Sequence, residues 1–214
     1  VDRQQARMRI CSEFEFPRDC TVVAVVGAIQ PRKDHATFLR AARRLAAQRP
    51  EVRFLIVGGD VTGGAADLHR QISALGLTEV VRVAGWWPDS IHELLAGIDI
   101  LAVSSIQESF GLTVVEAFAV ETPVVSTQCG GPEEVIRDGV DGYLVPVGDD
   151  EALAQRLLRL VERPREREVF GVAGKARFRA QFTVAAYVSQ LQVAMSDTVA
   201  LRKPSMRGHA AALR

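Results

Sequence analysis

The stretch DILAVSSIQESFGLTVVEAFAV, residues 99–120, places an apolar run, a loop with one glycine and a helical pattern in direct succession. The run Asp99–Ser104 is continuous rather than alternating, which is typical of a strand covered on both faces in a parallel sheet. The pattern over Thr113–Val120 predicts a helix that begins near Gly111. A buried strand that leads through a loop into a helix is the repeating unit of an α/β fold.

The same succession recurs along the chain. The other continuous apolar runs are Val22–Gly27, Val52–Gly58, Val80–Ala84, Pro123–Thr127 and Gly142–Val145. Helical patterns between the runs lie at Ala36–Gln48, Asp67–Leu75, Ser90–Ala96 and Glu133–Arg137. After Val147 the pattern is helical only, over Glu151–Glu162, Arg165–Gln181 and Val184–Met195. The sequence therefore predicts an α/β fold with a single Rossmann-like, doubly wound parallel sheet of about six strands, followed by C-terminal helices.

Composition excludes several classes of protein. The 214 residues are 48% apolar and 24% charged, and 26 basic residues balance 26 acidic ones. This is ordinary globular composition without the basic excess of a nucleic-acid-binding protein, so no nucleic-acid partner is expected. No apolar run approaches the roughly 18 residues of a membrane-spanning helix. Three cysteines without a C-x-x-C pair indicate a reducing cytoplasm and no zinc site.

The predicted domain spans residues 21–195. Residues 1–20 show no clear period and are predicted to be a linker or N-terminal segment. Residues 196–214 mix Arg, Pro, Ser, Gly and Ala and are predicted to form a mobile tail. Because the chain begins with Val rather than Met, we interpret it as a processed chain or a piece of a longer protein.

Ligands of open α/β sheets bind beyond the carboxyl ends of the strands, so the loops after the strands are the candidate sites. The first loop, GAIQPRKD at residues 27–34, lacks the G-x-G-x-x-G pattern of dinucleotide-binding proteins. It places Arg32 and Lys33 at the entrance of a helix, where cations and backbone amides favour a phosphate. A solvated basic loop is the alternative interpretation.

The fourth loop, residues 104–116, gives the strongest indication of a binding site. Gly111 lets the backbone approach a ligand, and the first amides of the following helix favour a phosphate. Glu108 and Glu116 flank this position, and a carboxylate accepts hydrogen bonds from adjacent hydroxyls of a ribose or a hexose. Glu116 has a simpler alternative role, which is to complement the helix dipole.

Two other loops leave alternatives open. Trp86 and Trp87 follow the third strand, where they stack on a base or sugar or pack against another domain. Gly130 and Gly131 precede a helix, where they add amides to the same ligand or simply begin that helix. The chain has no P-loop, no G-x-S-x-G elbow and no D-x-D motif for a metal-bound diphosphate, which favours a metal-free site.

Taken in order, the motifs resemble the retaining GT-B glycosyltransferases of the glycosyl transferases group 1 family. The segment from Glu108 to Glu116 resembles the E-x7-E signature of that family. The accompanying motifs are Gly27 with Lys33, Phe54–Gly59, Val83–Gly85, Asp99–Ile100, Glu116–Ala119, Thr122–Val125, Gly130–Gly131 with Glu134, and Asp138–Gly142. The resemblance covers residues 21–190 and is to the C-terminal, donor-binding domain, which is one half of a GT-B fold.

The resemblance implies transfer of a hexosyl group from a nucleotide-diphospho-sugar to an acceptor hydroxyl, with retention of configuration and without a metal or cofactor. Lys33 and Glu108 are the implied catalytic residues. Lys33 would bind the diphosphate, Glu108 would bind the transferred sugar, and Glu116 would bind the ribose. The implied donor-binding set is Gly27, Arg32, Lys33, Glu108, Ser109, Phe110, Gly111, Leu112, Thr113 and Glu116. Ala28 stands where the family usually has an arginine, and Arg32 is implied as its replacement.

The resemblance further implies a UDP-, GDP- or ADP-sugar as donor and an acceptor-binding N-terminal domain that this chain lacks. The isolated domain is then expected to transfer no sugar, and residues up to Cys20 to be the interdomain linker. The implied location is the cytoplasm, with peripheral association at the inner face of the membrane left open for the full protein. The alternatives are a stand-alone nucleotide-sugar-binding module with a separate acceptor subunit, a GT-B epimerase or phosphorylase, and an NAD-dependent dehydrogenase.

Overall fold

A computed structural model describes the backbone of residues 1–201 and the side chains of residues 1–196. The strands are β1 (Thr21–Val26), β2 (Val52–Val57), β3 (Val81–Gly85), β4 (Ile100–Val103), β5 (Val124–Thr127) and β6 (Gly142–Val145). The α-helices are α1 (Arg3–Glu13), α2 (His35–Gln48), α3 (Ala65–Ala74), α4 (Ile91–Gly97), α5 (Leu112–Ala119), α6 (Gly131–Val135), α7 (Asp150–Glu162), α8 (Pro164–Gln181) and α9 (Val184–Leu201). The predicted elements are present with boundaries shifted by one or two residues, except that α9 continues to Leu201.

The six strands form one parallel sheet in the order β3-β2-β1-β4-β5-β6, which confirms the predicted fold class. Strands β2 and β3 are added in turn on one side of β1, and strands β4, β5 and β6 are added in turn on its other side. The loops after β1 and β4 therefore leave neighbouring strands in opposite directions. The crevice that opens at such a reversal is where open α/β sheets bind their ligands.

Burial on both faces of the sheet explains why its strands are continuously apolar. Val23 and Val25 of β1 pack into one core cluster with Phe38 of α2. The alternating residues Val22 and Ala24 point to the opposite face of the sheet and are fully buried as well. A strand covered on both faces cannot alternate apolar with polar side chains, so the sequence pattern and the fold agree.

Residues 1–20, in which the sequence shows no clear period, contain the helix α1. Helix α1 buries Ala6, Ile10 and Cys11, and it packs on α4. Gly97 at the end of α4 permits this contact, since an added Cβ there would lie 2.8 Å from the Ala6 carbonyl oxygen. The apolar stripe of α1 is only three residues long, too short to produce a visible period. A linking role for residues 1–20 stays a prediction.

The described chain divides into a compact unit, Val1–Phe178, and a second unit that begins at Arg179. Helix α9 in the second unit exposes Tyr187 and Leu191. The predicted tail, 196–214, falls mostly outside the described residues, although α9 extends into it as far as Leu201. Within residues 1–201, no helix has both the length and the apolar character needed to cross a lipid bilayer.

Candidate functional site

A short 3-10 turn after β1 positions Lys33 at the crevice. The turn, Pro31–Lys33, is followed by Asp34 in the left-handed region with a φ of 44°. The Asp34 carboxylate accepts hydrogen bonds from the Thr37 amide at 3.2 Å and the Thr37 hydroxyl at 2.6 Å. Asp34 thereby caps α2, while the phosphate role of Arg32 and Lys33 in this loop stays a prediction.

The loop between β4 and α5 is held from both sides by backbone hydrogen bonds. The Ile106 amide donates to the Arg32 carbonyl at 2.8 Å, which ties the loop to the turn after β1. Glu108 forms a two-bond bridge to the loop after β5: its amide donates to the Cys129 carbonyl at 2.8 Å, and its carbonyl accepts from the Gly131 amide at 2.9 Å. The position of Glu108 is therefore fixed by the fold.

Lys33 and Glu108 form an ion pair across the crevice. The Lys33 Nζ lies 2.5 Å from Glu108 Oε1, and the Ser105 hydroxyl donates to the same oxygen at 2.7 Å. The two charged side chains are only 14% and 13% exposed. Burial raises the pKa of Glu108, but the hydrogen bonds from Lys33 and Ser105 and the charges of Lys33 and Arg32 outweigh it, so the pKa lies below its ordinary value.

A hollow of about 20 Å³ lies beneath this ion pair, at the carboxyl ends of β1 and β4. Its polar lining consists of Lys33, Ser104, Ser105, Glu108 and Thr113. The stem of Lys33 crosses Gly27, where an added Cβ would lie 2.7 Å from the lysine Cε. The hollow has room for about one water molecule. A larger ligand therefore lies over the ion pair or moves its side chains.

Helix α5 begins without a side-chain cap, unlike α2, α3 and α7. Asp34, Asp60 and Asp149 accept hydrogen bonds from amides at the starts of α2, α3 and α7. Helix α5 instead begins at Gly111, which is in the left-handed region with a φ of 83° and has no side chain to cap the helix. Within the described residues, the amides of Leu112 and Thr113 have no acceptor. They are the unsatisfied donors that bind anions at helix starts.

Glu116 lies three residues beyond Thr113, on the same face of α5. It does not line the hollow, and within the described residues its half-buried carboxylate accepts no hydrogen bond. Burial raises the pKa of Glu116, and the nearby His92 partly offsets that rise. A carboxylate placed this way has its acceptor oxygens available for a ligand.

The remaining predicted site residues lie at the rim of the crevice. Arg32, Ser109, Phe110 and Leu112 are exposed, so their side chains are accessible from the solvent. Phe110 is held close to the loop after β5, because its backbone contacts the Cα of Gly131. The roles of these residues stay predictions.

Residues 9–177 match the protein family described as "Glycosyl transferases group 1". The chain belongs to this family. Among curated relatives, the D-inositol 3-phosphate glycosyltransferase of Mycobacterium leprae is 37% identical over 217 residues, covering 96% of this chain and 48% of the relative. The chain thus spans about half the length of the curated relatives it matches.

Solved structures of glycosyltransferases share the fold. Anabaena HepE in complex with UDP matches 90% of this chain and 53% of its own chain, at 26% identity and a TM-score of 0.82. The complex of HepE with UDP-glucose matches at 25% identity and a TM-score of 0.80. The C-terminal domain of a group 1 family protein from Francisella tularensis, at 23% identity and a TM-score of 0.76, matches over 94% of its length. The family and GT-B resemblance deduced from the sequence are confirmed.

A larger cavity of about 200 Å³ in this group 1 glycosyl transferase chain lies between the turn after β1 and helix α3. Its acids, Asp34 and Asp67, already accept hydrogen bonds from protein donors. His35 in its lining is neutral, because burial and the charge of Lys33 lower its pKa to about 4. Without a cation in its lining, this cavity does not suit a diphosphate.

The two tryptophans after β3 take different roles. Trp87 is buried against Phe14, with ring centroids 6.2 Å apart, and the Arg9 guanidinium lies over its ring. Trp86 is 80% exposed. Packing therefore explains Trp87, while Trp86 keeps a free indole at the carboxyl edge of the sheet.

Sequence reasoning passed over Ser105. This residue carries no motif of its own, and its contact with Glu108 depends on a loop conformation that spacing does not reveal.

Proposed function

We propose that this chain is the donor-binding half of a retaining hexosyltransferase that uses a nucleotide-diphospho-sugar. The observation that carries the proposal is the uncapped start of α5 beside the buried Lys33–Glu108 pair. Free amides and a fixed cation stabilise the negative charge of a diphosphate without reorganising. Family membership supports the transferase activity.

Each charged group has a distinct role in this proposal. The diphosphate lies over the amides of Leu112 and Thr113 and contacts the ammonium of Lys33. Glu116, one turn further along α5, accepts hydrogen bonds from the ribose hydroxyls. Glu108 accepts them from the transferred sugar. In this proposal, sugar, diphosphate and ribose follow one another from Glu108 over the start of α5 to Glu116.

The proposed chemistry needs no metal ion, because Lys33, Arg32 and the helix amides supply the positive charge. The bond between the anomeric carbon and the diphosphate oxygen breaks, and the acceptor oxygen bonds to that carbon from the same face. The acceptor proton passes to the leaving diphosphate. Retention follows from this front-side displacement.

UDP is the first nucleotide to test, because HepE structures hold UDP and UDP-glucose at 25–26% identity to this chain. GDP- and ADP-sugars remain in the proposal. We also propose that the acceptor is bound by a domain other than this one, and we therefore expect this chain alone to transfer no sugar. We further propose a cytoplasmic enzyme.

A thermal-shift panel of UDP, GDP, ADP and their glucose derivatives tests the proposal. A ligand at 100 times its Kd stabilises the folded state by about 2.7 kcal/mol, which raises the melting temperature by roughly 5–10 °C for a domain of this size. We expect at least one nucleoside diphosphate and its glucose derivative, together called a nucleotide pair, to raise the melting temperature by this amount. We expect NADH to leave it unchanged. A panel without any shift contradicts the proposed function, and a shift with NADH alone favours a dehydrogenase.

Replacing Glu116 with alanine is expected to weaken UDP binding about tenfold, which corresponds to one hydrogen-bonded charged group. Inorganic pyrophosphate lacks a ribose, so its affinity should stay the same. Calorimetric titration of both ligands measures the difference, with Glu79→Ala, an exposed glutamate on the surface, as the matched control. Equal losses for UDP and pyrophosphate would show that Glu116 does not bind the ribose.

A further inference from the structure

Ser105 is almost fully buried beneath the ion pair, with 1% of its surface exposed. Its hydroxyl donates to Glu108 Oε1 at 2.7 Å. Its backbone is held separately, because its carbonyl accepts a hydrogen bond from the Thr127 hydroxyl at 2.6 Å. The side chain and the main chain of Ser105 thus have different partners, and only the side chain reaches Glu108.

The two donors around Glu108 share one of its oxygens. The Lys33 Nζ and the Ser105 hydroxyl both donate to Oε1. Within the described residues, Oε2 accepts no hydrogen bond. The carboxylate is therefore held by one oxygen and presents the other, which is the arrangement needed to accept from a ligand hydroxyl.

A diphosphate at the start of α5 changes this balance. It carries more negative charge than a carboxylate and competes with Glu108 for the ammonium of Lys33. The Ser105 hydroxyl carries no charge and is fixed to the protein by the anchored main chain. When Lys33 turns to the diphosphate, Ser105 still orients Glu108.

We propose that Ser105 is a positioning residue that fixes the Glu108 carboxylate for the transferred sugar. This inference rests on the proposed function and adds a determinant of sugar recognition to it. Removing the hydroxyl leaves the Thr127 contact with the Ser105 backbone in place, so the loop keeps its course. The sugar-dependent part of donor affinity is then lost, while the nucleotide-dependent part stays.

The experiment compares a sugar nucleotide with its nucleoside diphosphate on the 214-residue chain. Calorimetry measures both affinities, starting with UDP-glucose and UDP and using the GDP or ADP pair if that pair binds instead. We expect Ser105→Ala to lower the affinity for the sugar nucleotide about tenfold and the affinity for the nucleoside diphosphate less than twofold. Ser126→Ala is the matched control, because Ser126 is equally buried and its hydroxyl donates to the Thr127 carbonyl instead.

A double-mutant cycle with Glu108→Gln separates positioning from a general structural effect. In a protein that already carries Glu108→Gln, Ser105→Ala should lower the affinity for the sugar nucleotide less than twofold, because the charge that the hydroxyl orients is gone. The unchanged affinity for the diphosphate reports that the variants fold. If Ser105→Ala does not fold, Ser105→Cys, which has a similar volume and a weak donor, takes its place.

The outcomes are distinct. Three results would overturn the Ser105 proposal and leave the proposed function standing. In Ser105→Ala, the affinities for both ligands could fall equally, or the affinity for the sugar nucleotide could stay unchanged. Alternatively, Ser105→Ala could lower that affinity equally with Glu108 and with Gln at position 108. A wild-type chain that binds no nucleotide pair overturns the proposed function, and the Ser105 proposal with it.

Discussion

Replacing Lys33 with methionine is expected to weaken UDP binding by about 10- to 150-fold. Methionine keeps the length and apolar stem that lie against Gly27, so the change removes mainly the charge. A hydrogen bond between charged groups contributes about 1.5–3 kcal/mol, and each 1.4 kcal/mol is a factor of ten in affinity. The lysine is only 14% exposed, so solvent does not replace the lost contact.

Lys175→Met is the matched control for this experiment. Lys175 also pairs with a glutamate, Glu121, at 2.6 Å, but the pair lies on α8 and at the end of α5, away from the crevice. We expect the control to bind UDP with wild-type affinity in the same calorimetric titration. An unchanged affinity in Lys33→Met would remove Lys33 from the site.

The Lys33 variant also has a predicted pH signature in stability. The pKa of Glu108 lies below its ordinary value of 4.5, so the pair stabilises the folded state above that pH and the contribution is lost as the pH falls through the lowered pKa. Lys33→Met leaves a mostly buried carboxylate without its cation, which is destabilising. Chemical unfolding should therefore show a deficit at pH 7 that shrinks below about pH 4.5.

The sequence predicted the parallel sheet, and with it the closeness of the loops after β1 and β4, because both follow from the burial of the strands. Continuous apolar runs are unavoidable in strands covered on both faces, and parallel order places the ends of β1 and β4 side by side. The proximity of Lys33 and Glu108 follows from that topology. Helix α1 escaped prediction because only Ala6, Ile10 and Cys11 are buried in it.

Details that depend on hydrogen bonds between loops could not be deduced from spacing. The sequence predicted phosphate binding at two helix starts, one next to Lys33 and one at Gly111. The two starts differ in capping: the Asp34 side chain accepts from the Thr37 amide of α2, whereas Gly111 has no side chain to cap α5. The direct pairing of Lys33 with Glu108 and the donor from Ser105 likewise appear only in the folded arrangement.

Gly131→Ala is expected to weaken the binding of sugar nucleotides on the order of 100-fold. An added Cβ at this position would lie 2.2–2.5 Å from the Cα, carbonyl carbon and nitrogen of Phe110. These are backbone atoms, so no rotation of a side chain relieves the overlap. The loop from Glu108 to Gly111, the loop that carries Gly131, or both must move instead. A shift of about 1 Å from a productive geometry lowers an enzyme's rate by roughly two orders of magnitude, and we expect a loss of similar size in donor affinity.

Gly59→Ala provides the comparison, because it adds the same methyl group in another loop at the carboxyl edge of the sheet. There an added Cβ meets only the ring of Trp86, at an ordinary contact distance of 3.8 Å. Calorimetry with the nucleotide pair that binds the wild type, together with thermal unfolding, distinguishes a displaced site from a general loss of structure. Overpacking of this kind costs about 1–3 kcal/mol of stability, which a domain of this size tolerates. A folded Gly131→Ala protein with wild-type affinity would show that the close contact between Gly131 and Phe110 does not control donor binding.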